Sequence, residues 1–281
     1  MFILEFLKAI FIGIVEGITE WLPISSTGHM VLVDEFISLD VSADFMKMFL
    51  VVIQLGAILA VPLLFFNKLN PFTNKKTQAE KKQTVNLWLK VIVGVIPAAT
   101  LGLLLDEFIE SKLENAYVVS AALIVYGIAF IIVEWRNKGR EYRITDVNDI
   151  TYKDALIIGS FQVLSLVPGT SRSGSTILGG IMTGVSRKAS AEFSFFMAIP
   201  VMVGASLLKI VKFIASGTAV SGFEIALLLV AFAVSFVVSL VSIKFLMEFV
   251  KRHSFTAFGI YRIALGIIVL AYFGISYLVR T

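Results

Sequence analysis

Pro168-Gly169-Thr170-Ser171-Arg172-Ser173-Gly174-Ser175-Thr176 sets the terms on which the rest of the chain is read. Its nine residues carry five hydroxyls, two glycines and one arginine, between the apolar run 157–167 and another that begins at Ile177. Hydrocarbon gives irregular backbone no hydrogen-bond partner, so a polar break between apolar segments lines a cavity or is buried in protein. The N–H groups opening the following helix, the hydroxyls and the forked guanidinium together make a receptor for a phosphate-type anion. No Gly-Lys-Ser/Thr follows, which excludes a Walker A loop.

The surrounding composition puts that break in a membrane. Of 281 residues, 58% are hydrophobic and 16% charged, and the mean hydropathy is +0.91, as in an all-α polytopic membrane protein. With no cysteine, disulfides, thiolate nucleophiles and Cys-ligated metals are excluded, and two histidines, His29 and His253, cannot build a His-rich metal centre. The net charge of +4 is read as membrane topology, with no nucleic-acid partner. Residues 2–15 are not read as a cleavable leader, because Glu5 and Lys8 interrupt them and no small-x-small pattern closes them.

Apolar runs of about 20 residues, the length that crosses a bilayer, fall near 45–66, 86–105, 116–135, 190–213, 220–243 and 256–279. Six transmembrane helices are therefore expected. Two further regions, about 2–33 and 152–184, are broken at 23–28 and 168–176, and read as re-entrant helix–loop–helix hairpins. With both hairpins re-entrant, sixteen of the 24 basic residues collect on one side and six on the other, with Arg172 and Arg262 inside membrane segments. The richer side is then cytoplasmic. Both termini lie outside, and Asp106, Glu107, Glu110 and Glu114 form an outward acidic loop. One integral membrane domain is expected, with repeat 1 over about 1–135, repeat 2 over about 152–281 and a cytoplasmic linker at 136–151. Each repeat is one hairpin plus three spans, so the second half starts from the opposite face and the repeat is inverted. At an offset of 146, Gly13, Glu16, Ser25, Thr27 and Gly28 lie over Gly159, Gln162, Ser171, Ser173 and Gly174.

The first hairpin holds Glu16 and Glu20 four residues apart, on one helical face. Intramembrane carboxylates cost about 2.5–3.5 kcal/mol each, so a cation, a partner or a proton is expected on them. A position near the outer surface would also explain them. Ser25, Ser26 and Thr27 also read as a helix cap after Pro23, but His29, three residues beyond Ser26, adds a base or proton donor. Arg172 is the sharpest single candidate, with an ion pair to Glu16 or Glu20 as the rival and compatible explanation. Gln54 and Gln162 are explained by helix–helix hydrogen bonds, Glu192, Pro200 and His253 read as structural, and the lysine-rich stretch 75–82 reads as a solvated loop.

The run Glu16-Gly17-Ile18-Thr19-Glu20-Trp21-Leu22-Pro23-Ile24-Ser25-Ser26-Thr27-Gly28-His29, together with 168–176, resembles the BacA-type undecaprenyl-pyrophosphate phosphatases over the whole chain. All of the family's motif residues are present. The resemblance implies hydrolysis of a C55 isoprenyl pyrophosphate to the monophosphate and inorganic phosphate, recycling a lipid carrier for cell-wall synthesis. It also implies bacitracin resistance, with bacitracin competing by sequestering the substrate. It implies a multi-pass protein of the bacterial inner membrane, whose site is expected to open to the periplasmic face. Ser26 is the expected nucleophile, with His29 or Glu20 as general base and later acid; direct attack by water stays open beside it. Arg172, Ser171, Ser173, Thr176, Gly169, Ser25 and Thr27 are expected on the phosphates, and Glu16 and Glu20 on Mg²⁺ or Ca²⁺. A homodimer is compatible with this reading. The competing class is an inverted-repeat transporter or flippase for a prenyl-phosphate lipid.

Overall fold

The computed structural model describes residues 2–113 and 115–280; the side chains of Asp106, Glu107, Glu110 and 277–280 lie outside the description, as does Glu114. The helices are α1 (Phe2–Thr19), α2 (Ser26–Phe36), α3 (Ala43–Leu64), the single turn α4 (Phe66–Leu69), α5 (Gln78–Phe108), α6 (Ala116–Asn137), α7 (Tyr152–Val163), α8 (Arg172–Met182), α9 (Arg187–Ala215), α10 (Gly222–Arg252) and α11 (Thr256–Arg280). Six of them, α3, α5, α6, α9, α10 and α11, are long and apolar enough to cross a membrane. This is an all-α multi-pass membrane protein.

Besides the single turn α4, four helices fall outside the six spans. At about 1.5 Å per residue, α2, α7 and α8, of 11, 12 and 11 residues, fall well short of a hydrocarbon core about 30 Å thick. The 18 residues of α1 carry Glu5, Lys8 and Glu16. They pair instead as α1 with α2 and α7 with α8, each pair joined by the irregular segment that the polar clusters mark.

The two pairs are built alike. Helix α1 packs along α10 and α7 along α5, while α3 meets α9 and α6 meets α11; exchanging the halves exchanges these contacts. The residues matched at an offset of 146 account for it. A Cβ at Gly13 would lie 2.7 Å from the Ala231 carbonyl on α10, and one at Gly159 would collide with the Gly94 carbonyl on α5. Only glycine permits either crossing. Ser25 and Ser171 are the two positive-φ residues other than glycine among those described, at 73° and 64°. Each caps its helix by accepting from the amide three residues on, Gly28 at 3.2 Å and Gly174 at 3.1 Å.

Several boundaries differ from the sequence reading. The second break is shorter than 168–176, because α8 starts at Arg172 and the hydroxyls of Ser175 and Thr176 turn back onto the Arg172 carbonyl at 3.0 and 2.9 Å. Residues 78–82 are the first turn of α5 rather than loop, since Thr77 and Glu80 bond each other reciprocally as a capping pair. Helix α10 runs nine residues past 243, carried by Glu248 paired with Lys251 and Arg252 one turn on. The stretch around Asp106, Glu107 and Glu110 stays helical, closing as a π turn at Ile109–Leu113, whereas the acidic side chains themselves fall outside the description. Within the expected linker 136–151, Ile144, Val147 and Ile150 are buried, and Ile144 bridges to Val185.

The main core gathers Trp21, Phe130, Phe193, Phe195, Phe196 and Phe255 behind the second break. Nine of the eleven residues of α8 are buried, against Gly28 alone in α2. One wall of the site is therefore embedded, and the other, α2, is open.

Candidate active site

Both breaks converge. Arg172, the first residue of α8, donates from Nη2 to Glu20 Oε1 at 3.0 Å and from Nη1 to the Ser194 carbonyl on α9 at 3.0 Å. Its guanidinium carbon stands 6.0 Å from the Trp21 ring. The ion pair is about 10% exposed on each side. Such a pair needs hydrogen bonds to offset desolvation; Glu20 accepts a second one, from the Ser26 hydroxyl on Oε2 at 3.0 Å, while Arg172 Nε stays buried without a partner. Glu20 thus joins the arginine of one hairpin to the serine of the other.

Ser26 sits at the start of α2, where first-turn N–H groups have no partner within the helix. Its hydroxyl already donates to a carboxylate, the arrangement of a nucleophile with its base. His29, one turn on, places Nδ1 2.7 Å from the Ser25 carbonyl and Nε2 2.7 Å from the Tyr261 hydroxyl, and its ring stacks on Tyr261 with an interplanar angle of 9°. A carbonyl only accepts, so Nδ1 carries the hydrogen and Nε2 of the neutral ring accepts from Tyr261.

The remaining expected phosphate ligands divide. Thr27 is exposed. The hydroxyls of Ser25 and Ser171 serve as helix caps. Ser171 Oγ also lies 3.2 Å from Ser173 Oγ, and Ser173, buried, reaches the Glu20 and Leu22 carbonyls at 3.4 and 3.5 Å. Thr176 lies a turn deeper, fully buried, its hydroxyl 2.7 Å from Ser194 Oγ. Gly169 holds φ +90°, and a Cβ there would lie 2.6 Å from the Val119 carbonyl on α6, so it serves the shape of the loop. Arg172, Ser26, Thr27 and the N-termini of α2 and α8 bring together donors and positive potential that suit an anion.

Glu16 is 1% exposed, and its Oε1 has no hydrogen-bond partner. Among the described residues no group of three or more His, Asp or Glu side chains converges. Two carboxylates of hard oxygens, one of them with a free buried atom, fit a divalent cation that takes its other ligands from phosphates and water, the usual habit of Mg²⁺.

Sequence reasoning missed Tyr261, Ser194 and the backbone function of Ser173. Their contacts cross between distant helices, and only the neighbouring Arg262, an arginine inside a span, signalled that α11 belonged here. Glu192 is paired with Lys68 at 2.5 Å and His253 stacks on Phe249, both in keeping with structural work. Gln162 is buried with both amide atoms unpartnered, so helix–helix hydrogen bonding does not account for it.

A model of the family described as "Bacitracin resistance protein BacA" matches residues 9–268. A relative from Enterococcus faecalis called undecaprenyl-diphosphatase is 58% identical over 265 residues, covering 94% of this chain and 96% of its own. One of the same name from Streptococcus thermophilus is 56% identical over 271 residues, covering 96% and 94%. An undecaprenyl-diphosphatase 1 from Clostridioides difficile is 57% identical over 271 residues, covering 96% and 97%. With nearly the whole chain matched and both site-bearing breaks inside the match, the chain belongs to the bacitracin resistance protein BacA family.

Proposed function

We propose that this protein hydrolyses undecaprenyl diphosphate to undecaprenyl phosphate and inorganic phosphate. The observation that carries the reading is the Ser26–Glu20–Arg172 chain of hydrogen bonds across the two breaks. Phosphoryl transfer needs positioning and charge stabilisation above all, and a transporter has no use for a serine held on a carboxylate. The reading therefore favours the phosphatase over the flippase.

When the diphosphate enters, Arg172 turns from Glu20 to the phosphate oxygens, which frees Glu20 as base. Ser26 Oγ attacks the terminal phosphorus in line, its proton passes to Glu20, and the P–O bond to the prenyl monophosphate breaks. Water then attacks the phosphoserine, its proton passing to Nε2 of His29, while Glu20 returns the proton it took from Ser26 to the departing Oγ. Serine is regenerated and orthophosphate leaves. Glu16 and Glu20 would hold a divalent cation, Mg²⁺ or Ca²⁺, which neutralises phosphate charge when bound. First-turn amides of α2 and α8 meet the remaining negative oxygens.

The same reading extends to topology. Short α1–α2 and α7–α8 pairs enter the bilayer from opposite sides and return, giving two inverted repeats, about 1–135 and 152–281. Exposed α2 turns the site toward the outer face of a bacterial inner membrane, with both termini outside. There bacitracin would compete by binding the same diphosphate lipid. Pairing as a homodimer leaves this site intact, since all its residues come from one chain.

The test is product analysis with purified protein in detergent and a C55 prenyl diphosphate. Equal amounts of prenyl monophosphate and orthophosphate are expected. Unchanged substrate across Mg²⁺ and Ca²⁺ conditions, from protein of intact helicity, would send the reading to transport.

A further inference from the structure

Arg262, in the second turn of α11, is completely buried. Its Nη1 donates to the Pro23 carbonyl at 3.2 Å, and its Nη2 to the Gly169 and Thr170 carbonyls at 2.9 and 3.1 Å. Pro23 belongs to the first break and Gly169 and Thr170 to the second, so one side chain holds both loops from a third element. The guanidinium carbon lies 5.8 Å from the Tyr126 ring on α6, the helix against which α11 packs. The fit leaves no slack: a Cβ at Gly174 would come within 3.3 Å of Arg262 Nη1 and 3.2 Å of Ser171 Cβ.

Irregular loops at membrane depth have carbonyls that no helix satisfies and no water reaches. A buried guanidinium needs acceptors for its fixed fork of donors. The two terminal nitrogens meet those carbonyls here, while Nε stays buried without a partner, and they reach all three only when the loops stand in one relative position. Of the two helices that leave the loops, α8 is embedded while only Gly28 of α2 is buried, so the start of α2 depends on the loop before it for its placement.

We infer that Arg262 is the positioning residue that locks the two hairpin loops together, so that Ser26 and Glu20 on one and Arg172 on the other stay in reacting register. It touches neither the opening nor the reacting atoms. A lysine would place a point charge there but could not reproduce the planar fork.

The catalytic half of the test rests on the phosphatase reading; the structural half does not. The chain has no cysteine, so spin labels can be placed through Asp34→Cys on α2 and Leu164→Cys after α7, both exposed positions outside the site. Pulsed electron resonance then reads the distance between the two hairpins. The wild-type background should give one narrow distribution, and Arg262→Met a broad or split one. In the unlabelled enzyme Arg262→Met should lower kcat about 100-fold, the scale of a lost supporting shell, with KM changing about threefold or less. Arg262→Lys should fall between the two in both readouts. An unchanged distribution in helical, monodisperse Arg262→Met overturns the inference whatever the activity. Should Arg262→Met not fold, Arg262→Lys carries the same decision: a broadened distribution supports the lock, and wild-type width with wild-type kcat overturns it. A wild type that hydrolyses nothing would count against the phosphatase reading and leave the distance measurement to judge the lock.

Discussion

Arg172 Nη2 lies 3.0 Å from Glu20 Oε1, although 152 residues separate them in the chain. The pair joins the two hairpins and balances the resting arginine charge; in the proposed mechanism a phosphate takes the place of the carboxylate. Arg172→Ala removes the phosphate clamp and frees Glu20 of its partner, so kcat/KM should fall about 10²–10³-fold. Arg172→Lys should recover only a small part, because one ammonium cannot hold Ser194, Glu20 and phosphate in a plane. Steady-state phosphate release on the three proteins checks this.

Ser26 donates to Glu20 Oε2 at 3.0 Å. If Ser26 is the nucleophile, brief incubation with terminally ³²P-labelled substrate and acid quench should leave label on the wild type and none on Ser26→Ala. Activity of Ser26→Ala near the wild-type rate would instead assign the attack to water.

Glu16 carries a buried carboxylate oxygen with no partner in the protein. Chelation should abolish activity, Mg²⁺ or Ca²⁺ should restore it, and Glu16→Gln should raise the metal concentration for half-maximal rate about 10-fold or more. A Glu16→Gln enzyme with the wild-type metal requirement would place the cation elsewhere.

His29 is held on both ring nitrogens, by the Ser25 carbonyl and the Tyr261 hydroxyl. Tyr261→Phe keeps the stacked ring and deletes one hydrogen bond, worth about 0.5–1.5 kcal/mol. The rate should drop about 3–10-fold with the thermal midpoint nearly unchanged. His29→Gln should be hit harder. Equal, negligible effects in both would remove His29 from the chemistry.

Gly169 combines φ +90° with a Cβ position 2.6 Å from the Val119 carbonyl. Gly169→Ala is therefore expected to destabilise by about 1–3 kcal/mol, read as a lowered unfolding midpoint in detergent.

Much of this was legible in the chain because hydrocarbon allows few solutions. Apolar runs of spanning length marked the six long helices, and polar clusters inside two shorter regions marked where backbone must leave the helix. The match of Ser25 with Ser171 and Gly13 with Gly159 at one offset pointed to a repeat; that these positions are two positive-φ caps and two close crossings came only from the structure. Helix ends were harder to place. Ser171 and Thr77 act through caps whose bonds reach only three residues, so a polar stretch that looks like loop is already the first helical turn. Tyr261 and Arg262 were hidden for the opposite reason. Their partners lie 92 to 239 residues away, and no local pattern announces a contact of that range. An arginine in an apolar span was the one available sign.

The most direct measurement is phosphate release from a prenyl diphosphate by purified wild type, Ser26→Ala and Arg172→Ala, each verified as folded, with and without chelator. A single site shared by both hairpins predicts metal-dependent release by the wild type and loss in both variants. Release by either variant at the wild-type rate would contradict the shared site, and no release by any of the three, with metal present, would contradict the phosphatase itself.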